Sequence, residues 1–238
     1  MYYINLGDGM KNLAIIPARS GSKGLHDKNI KLLNGKPLLA YTIDAAIKSK
    51  QFDEILVSTD SERYAKIAES YGADVPFLRS AQTAGDKATT WDVVKEVLKS
   101  YFELGKVFDT IALLQPTSPL RGSKEIIEGY QLFEKKKANS VVAVCEVDQS
   151  PLLCNTLRDD LSMKDFIHAD IYLKPRQQLP IYYRINGALY IIKVKDTCDI
   201  FSLYDEKGYA YIMPQEKSID IDTEFDFAIA EKYHNFSN

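Results

Sequence analysis

The chain has 238 residues, 45% hydrophobic and 26% charged, enough for one large α/β domain or a domain with a small appendage. A net charge of −3 and a pI near 5.7 argue against broad nucleic-acid binding by a basic face. Three cysteines without metal-ligand spacing argue against a disulfide framework or a zinc site and fit reduced thiols in a cytoplasm, and no apolar run approaches the ~20 residues of a membrane span.

Residues 1–9 lack the basic stretch and apolar core of a signal peptide, and Met10 followed by Lys11 has the form of a second start. Those nine residues read as an extension or a cloning remnant. The apolar run 13–18 predicts a short buried strand. Residues 37–49 predict a helix, with Pro37 near its first turn and Leu38, Leu39, Ile43 and Ile47 at helical spacing. A second strand over 54–58 leads into Thr59-Asp60-Ser61, which caps a helix ending near Tyr71, where Gly72 stops it. A strand over 75–78, a helix over 90–104, a strand over 110–114, a helix over 123–137 capped by Ser123 and a strand over 140–146 follow. This alternation argues an α/β fold, a parallel sheet with helices on both faces.

From 147 to 183 the rhythm breaks. Pro151, Pro175 and Pro180 interrupt it, and the segment reads as an inserted arm. Strands return over 187–194 and 209–213, and a helix over 224–233 closes the chain. Glu134-Lys135-Lys136-Lys137 reads as a solvated helix end, with its lysines on the favourable side of the helix dipole.

Four segments carry chemistry. The loop from Arg19 to Asn29 sets Arg19, Lys23 and Lys28 among two glycines and two serines just after a strand. Such a loop can wrap a polyphosphate: glycines let backbone N–H groups approach the oxygens and the cations neutralise charge. Its spacing is neither Gly-x-x-x-x-Gly-Lys-Ser/Thr nor Gly-x-Gly-x-x-Gly. Gln115-Pro116-Thr117-Ser118-Pro119-Leu120-Arg121 also leaves a strand, and two prolines stiffen it. Both loops fall at the carboxyl ends of strands, where open α/β sheets bind ligands. Pro175-Arg176-Gln177-Gln178-Leu179-Pro180, with Arg184 and Asn186-Gly187-Ala188 beyond it, can fork onto carboxylate or phosphate oxygens, or form a wet surface loop. In Ser218-Ile219-Asp220-Ile221-Asp222-Thr223 the alternation sets two carboxylates on one side and two isoleucines toward the core. That pair can share a hard cation such as Mg²⁺, although Asp222 or Thr223 can equally cap the last helix.

Taken together, these segments, with Ser58-Thr59-Asp60, resemble the CMP-sialic acid synthetase (acylneuraminate cytidylyltransferase) family, in the family's order over residues 11–235. Pro175 to Pro180 is similar to the bacterial sialic acid enzymes. The resemblance implies a Rossmann-like nucleotidyltransferase fold and a homodimer in which the arm, about 147–183, reaches the partner's site. It implies that CTP and a nonulosonic acid, a nine-carbon 2-keto sugar acid, react with Mg²⁺ to give CMP-sugar and pyrophosphate. By the same resemblance, Arg19, Ser22, Lys23, Lys28 and Asn29 form the CTP loop, and Arg79 and Thr89 or Thr90 add nucleotide contacts. Gln115, Thr117 and Ser118 are implied as sugar contacts, Arg176 and Arg184 as basic residues for phosphate and carboxylate, Tyr190 as a sugar-pocket aromatic, and Asp220 and Asp222 as the metal pair.

The chain departs from the family at Pro151-Leu152-Leu153, where relatives often carry a lysine. Arg158 or Lys164 substitutes, or the acid is recognised differently, which leaves N-acetylneuraminate and legionaminate both open. Two rival readings are a 3-deoxy-manno-octulosonate cytidylyltransferase, whose first loop has another pattern, and a catalytically silent nucleotide sensor. His26, His168 and His234 are expected to be bystanders.

Overall fold

The strand Asn12–Pro17 (β1) occupies the middle of the molecule because its side chains are buried on both sides. In the computed structural model, which describes residues 10–21, 24–195 and 198–236, Leu13 and Ile15 pack on one face of the sheet and Ala14 and Ile16 on the other. Full burial of each large aliphatic side chain contributes about 1.5–3 kcal/mol, so this register is strongly favoured.

β1 pairs in parallel with Glu54–Ser58 (β4) and with Thr110–Leu113 (β5). The six-stranded sheet runs β4-β1-β5-β7-β6-β8, with β6 spanning Ser140–Glu146, β7 Tyr183–Lys193 and β8 Gly208–Ile212. A two-stranded hairpin, Leu32–Leu33 (β2) with Lys36–Pro37 (β3), stands apart. One face of the large sheet is covered by Leu38–Ser49 (α1), Glu62–Ser70 (α2) and Ser123–Lys136 (α5), the other by Thr90–Glu103 (α4).

The sheet is not wholly parallel: β7 runs antiparallel to both β5 and β6. The chain leaves along β6, passes through residues 147–182 and returns along β7, so these two strands are the limbs of one long hairpin. β7 also begins at Tyr183 rather than 187. Its first residues pair with β6 (Val144 with Ile185, Glu146 with Tyr183) beyond the covered part of the sheet, so they carry no burial pattern to read.

The strand expected over 75–78 does not form. Asp74 alone bridges to β4, and Pro76, which has no N–H and a fixed φ, cannot extend the ladder. Ser123 is not the cap of α5: the Glu125 carboxylate accepts the Gly122 N–H at 2.8 Å, which puts Ser123 inside the helix. Two short helices lacked a sequence signal, Ala81–Ala84 (α3) and Ala169–Tyr172 (α6).

A third, smaller core decides where the ends of the chain meet. Leu25 from the first loop, Leu33 and Leu38 pack with Ile221 and with Phe227 and Ala230 of the last helix, Glu224–Phe236 (α7). Between β6 and β7, by contrast, no residue from 147 to 182 is buried.

Candidate active site

The loop after β1 is fixed at three points. The Asp60 carboxylate accepts the Ser20 N–H and the Ser20 hydroxyl, each at 2.8 Å. Burial pushes the Asp60 carboxyl up, but those two hydrogen bonds and the nearby Arg79 charge outweigh it and hold the group below its usual range. Further along, Asp27 accepts the Tyr64 hydroxyl at 2.9 Å and pairs with Arg63 at 3.1 Å. Between them the Asn29 side chain donates to the Arg19 carbonyl at 3.0 Å and shapes the loop from inside. Ser22 and Lys23 lie outside the described residues, as do residues 1–9.

The segment 218–223 is brought against this loop. Ile221 is fully buried, and its N–H donates to the Thr117 carbonyl at 2.9 Å. Lys28 Nζ donates to the Ile221 carbonyl at 2.7 Å and meets Asp222 Oδ1 at 3.0 Å, across 194 residues of sequence. Only glycine fits at position 24, because a Cβ there would lie 2.8 Å from the Asp222 carbonyl oxygen. The expected alternation therefore holds, although the segment is an irregular stretch rather than a strand. Capping of α7 falls to Thr223, whose hydroxyl and amide exchange hydrogen bonds with Asp226, so Asp222 is not needed there.

These contacts create a cleft of about 670 Å³ lined by Arg19, Lys28, Asn29, Arg79, Thr89, Thr90, Gln115, Thr117, Asp220 and Asp222. Asp220 Oδ1 is buried without a hydrogen-bond partner among the described residues. Burial raises the Asp220 pKa and the neighbouring Asp222 charge adds to the rise, while Thr117, Lys28 and Arg184 oppose it. A buried, unpartnered carboxylate oxygen beside a second carboxylate is a donor set suited to a hard cation.

The other expected residues divide. Arg79 lines the cleft but spends two donors on Ser58, at 2.7 Å to the carbonyl and 3.1 Å to the hydroxyl. Thr89 closes a capping box with Asp92 at the start of α4 and still faces the cleft. Ser118 is fully buried and does not line it. Tyr190 pairs with Leu113 and meets Trp91 edge-on at 5.7 Å. Burial raises its hydroxyl pKa, and the Tyr204 and Asp220 charges add to the rise; the ring does not line the cleft. Arg184 donates to the Ser218 carbonyl at 3.2 Å. Arg176 is elsewhere, in a groove of about 260 Å³ formed by the end of β6 and residues 147–182.

Sequence reasoning gave no individual role to three contributors. Gly187, at φ +77°, leaves room for the Gln115 amide, whose Oε1 would lie 2.6 Å from an added Cβ. Arg121 is buried and donates to the Ala188 carbonyl at 3.2 Å and the Thr42 hydroxyl at 2.9 Å, so it ties the Gln115 loop to β7 and α1. Asp86 faces the cleft from the turn between α3 and α4 and pairs with Arg19 at 3.1 Å. A turn aspartate carries no periodic signal, and that pairing exists only in three dimensions.

A cationic glycine-containing loop and a carboxylate pair, gathered beyond the carboxyl ends of β1 and β5, are the arrangement of an α/β nucleotide-binding protein. The chain belongs to the cytidylyltransferase family, which residues 13–232 match. It is 42% identical over 221 residues to an N-acylneuraminate cytidylyltransferase of Escherichia coli, covering 92% of this chain and 51% of that protein. A protein of the same name from Streptococcus agalactiae is 41% identical, covering 94% and 56%. The chain thus spans about half the length of these relatives. A CMP-N,N'-diacetyllegionaminic acid synthase of Legionella pneumophila is 38% identical, covering 94% of this chain and 96% of that one. Among solved structures, a CMP:2-keto-3-deoxy-manno-octonic acid synthetase complexed with CTP superposes with a TM-score of 0.69 at 14% identity, covering 96% of this chain and 100% of that chain. A 4-diphosphocytidyl-2C-methyl-D-erythritol synthase from Anaerococcus prevotii gives 0.64 at 18% identity, with the same coverage. At those identities the likeness concerns the fold alone.

Proposed function

We propose that the protein is a cytoplasmic, homodimeric cytidylyltransferase that couples CTP to a nonulosonic acid, N-acetylneuraminate or a close relative such as N,N'-diacetyllegionaminate, and releases pyrophosphate. The single observation that carries this reading is Lys28, which touches both the Ile221 carbonyl and Asp222 and so joins the cationic loop and the aspartate pair in one cleft.

CTP brings ~4 negative charges, and phosphoryl-type transfer depends mainly on positioning and on relief of charge. Arg19 and Lys28 hold the triphosphate and then the departing pyrophosphate. Asn29 shapes that loop, and Thr89, Thr90 and Arg79 bound the nucleotide. Gln115 and Thr117 orient the sugar acid, whose carboxylate meets Arg184. The anomeric 2-hydroxyl oxygen attacks the α-phosphorus, the bond to the bridging oxygen breaks, and the hydroxyl proton passes to Asp222. Asp220 and Asp222 would hold Mg²⁺, which when bound supplies positive charge for the α-phosphate.

Homodimerisation is supported by the arm. Leu161 and Leu173 are 71% and 73% exposed, and Leu157, Met163, Tyr172 and Ile181 are exposed as well. Apolar side chains without a core of their own fit a surface covered by a second copy, which would bring Arg176 to the partner's cleft.

The test is a pyrophosphate assay with CTP and Mg²⁺ and, in turn, N-acetylneuraminate, legionaminate, pseudaminate and 3-deoxy-manno-octulosonate. Release that requires one of the nine-carbon acids is expected. Turnover with the eight-carbon acid alone, or none with any acid, would reject the reading.

A further inference from the structure

Glu125 is a carboxylate almost without water: its side chain, in the first turn of α5, is 3% exposed. Capping of that helix explains one of its oxygens only. Oε2 accepts the Gly122 N–H at 2.8 Å, just past the loop that runs from Gln115 to Arg121. Oε1 meets Lys217 Nζ at 2.6 Å, across 92 residues of sequence and shortly before Asp220.

The two segments that Glu125 joins also meet in the cleft. The Thr117 carbonyl accepts the Ile221 N–H at 2.9 Å, and the Thr117 side chain hydrogen-bonds to Asp220. Ser218 is held to β7 by Asn186 at 2.9 Å and by Arg184 at 3.2 Å. Glu125 adds the tie to α5, and so to the loop that carries Gln115 and Thr117. Lys217 is 39% exposed, so its ammonium keeps water while the carboxylate does not. A desolvated carboxylate left without its cation is costly, which holds Lys217 in place where a solvated lysine would swing free. Such a pair adds little net stability but fixes a geometry. The Glu125 charge also supports the buried Arg121 guanidinium against its loss of solvation.

We propose that Glu125 is a positioning residue for the transfer: by holding the Gly122 N–H and Lys217 together, it sets the spacing between the sugar-acid loop, 115–121, and the segment that carries Asp220. The far end of that segment is held separately, because Ile221 packs with Leu25 in the third core, so the triphosphate loop is spared. This inference rests on the assignment of Gln115, Thr117 and Asp220 to the site.

The test compares wild type with Lys217→Ala, Lys217→Arg, Glu125→Gln and Asp220→Asn. Pyrophosphate release gives kcat and the KM of each substrate, and amide hydrogen exchange at Ile221 is followed without substrates. Lys217→Ala opens the carboxylate to water. It is expected to lower kcat about tenfold, raise KM for the sugar acid about 3–10-fold and speed Ile221 exchange about tenfold, with KM for CTP within about 2-fold. Glu125→Gln should move each quantity the same way and decides the matter if Lys217→Ala does not fold. Lys217→Arg restores the cation and should stay within about 3-fold of wild type throughout. A merely structural role would lower the melting temperature and leave kcat, the KM split and Ile221 exchange unchanged. That result, with Asp220→Asn still impaired, overturns the positioning role and spares the site assignment. If Asp220→Asn turns over like wild type, both are overturned. If no sugar acid supports turnover, Ile221 exchange alone decides: unchanged exchange overturns the role, and faster exchange that Lys217→Arg restores upholds it.

Discussion

The cleft and the arm are built on opposite principles. In the cleft the loop after β1 and segment 218–223 are placed by the chain's own packing: Leu25 and Ile221 share a core, Lys28 is tied to a backbone carbonyl, and Gly24 lets two backbones touch. In the arm no residue from 147 to 182 is buried, and Leu157, Leu161, Met163, Tyr172, Leu173 and Ile181 are exposed. The cleft is therefore organised within one chain, whereas the arm, under the proposed dimer, would acquire its geometry from a second copy. Changes in the cleft should damage chemistry directly, and changes in the arm should act through assembly.

The largest effect is expected at Asp220. Asp220→Asn keeps the shape of the site and removes charge, and kcat should fall by about 10²–10³-fold, the range seen for single electrostatic groups in active sites. Pyrophosphate release at saturating CTP measures it. The arm comes next. Leu161→Asp with Leu173→Asp should turn a dimer into a monomer by light scattering and raise KM for the sugar acid about tenfold, with CTP affinity within about 2-fold. A doubly substituted protein that stays dimeric would break the contrast.

Gly24→Ala sharpens it from the other side. The new methyl would sit 2.8 Å from the Asp222 carbonyl oxygen, so the first loop or segment 218–223 must shift. We expect a cost of about 1–3 kcal/mol in thermal or denaturant unfolding, with kcat/KM reduced and the dimer intact.

The smallest effect concerns Asp60. Its folded-state pKa lies below the ordinary 3.8, so its contribution is fully present above that value and is lost as pH falls through the depressed one. Asp60→Asn should cost about 1–2 kcal/mol near neutral pH, and the difference from wild type should vanish in acid, as read from denaturation midpoints across pH 2–7.

Much of this was legible in the chain. β4 and β6 fall where their apolar runs begin and end, because buried strands leave an uninterrupted hydrophobic signature. The two halves of the cleft were also readable, since cations among glycines and alternating aspartates mark themselves locally. Contacts made by tertiary packing were not. β7 shows no polarity in its sequence, and its antiparallel direction follows from the long excursion between Glu146 and Tyr183. Arg121 read as a loop cation and became a buried clamp whose pKa burial lowers to about 10. Arg176 read as a site residue and lies in the arm's groove, away from the cleft, since a motif inside an insertion carries no signal of where the insertion folds.

The central claim is that the loop after β1 and segment 218–223 hold one nucleotide between them. A crystal structure with CTP and Mg²⁺ tests it most directly. The claim predicts a triphosphate in contact with Arg19 and Lys28 on one side and a metal ion on Asp220 and Asp222 on the other. A nucleotide touching only one of these regions, or bound outside the cleft, would contradict it.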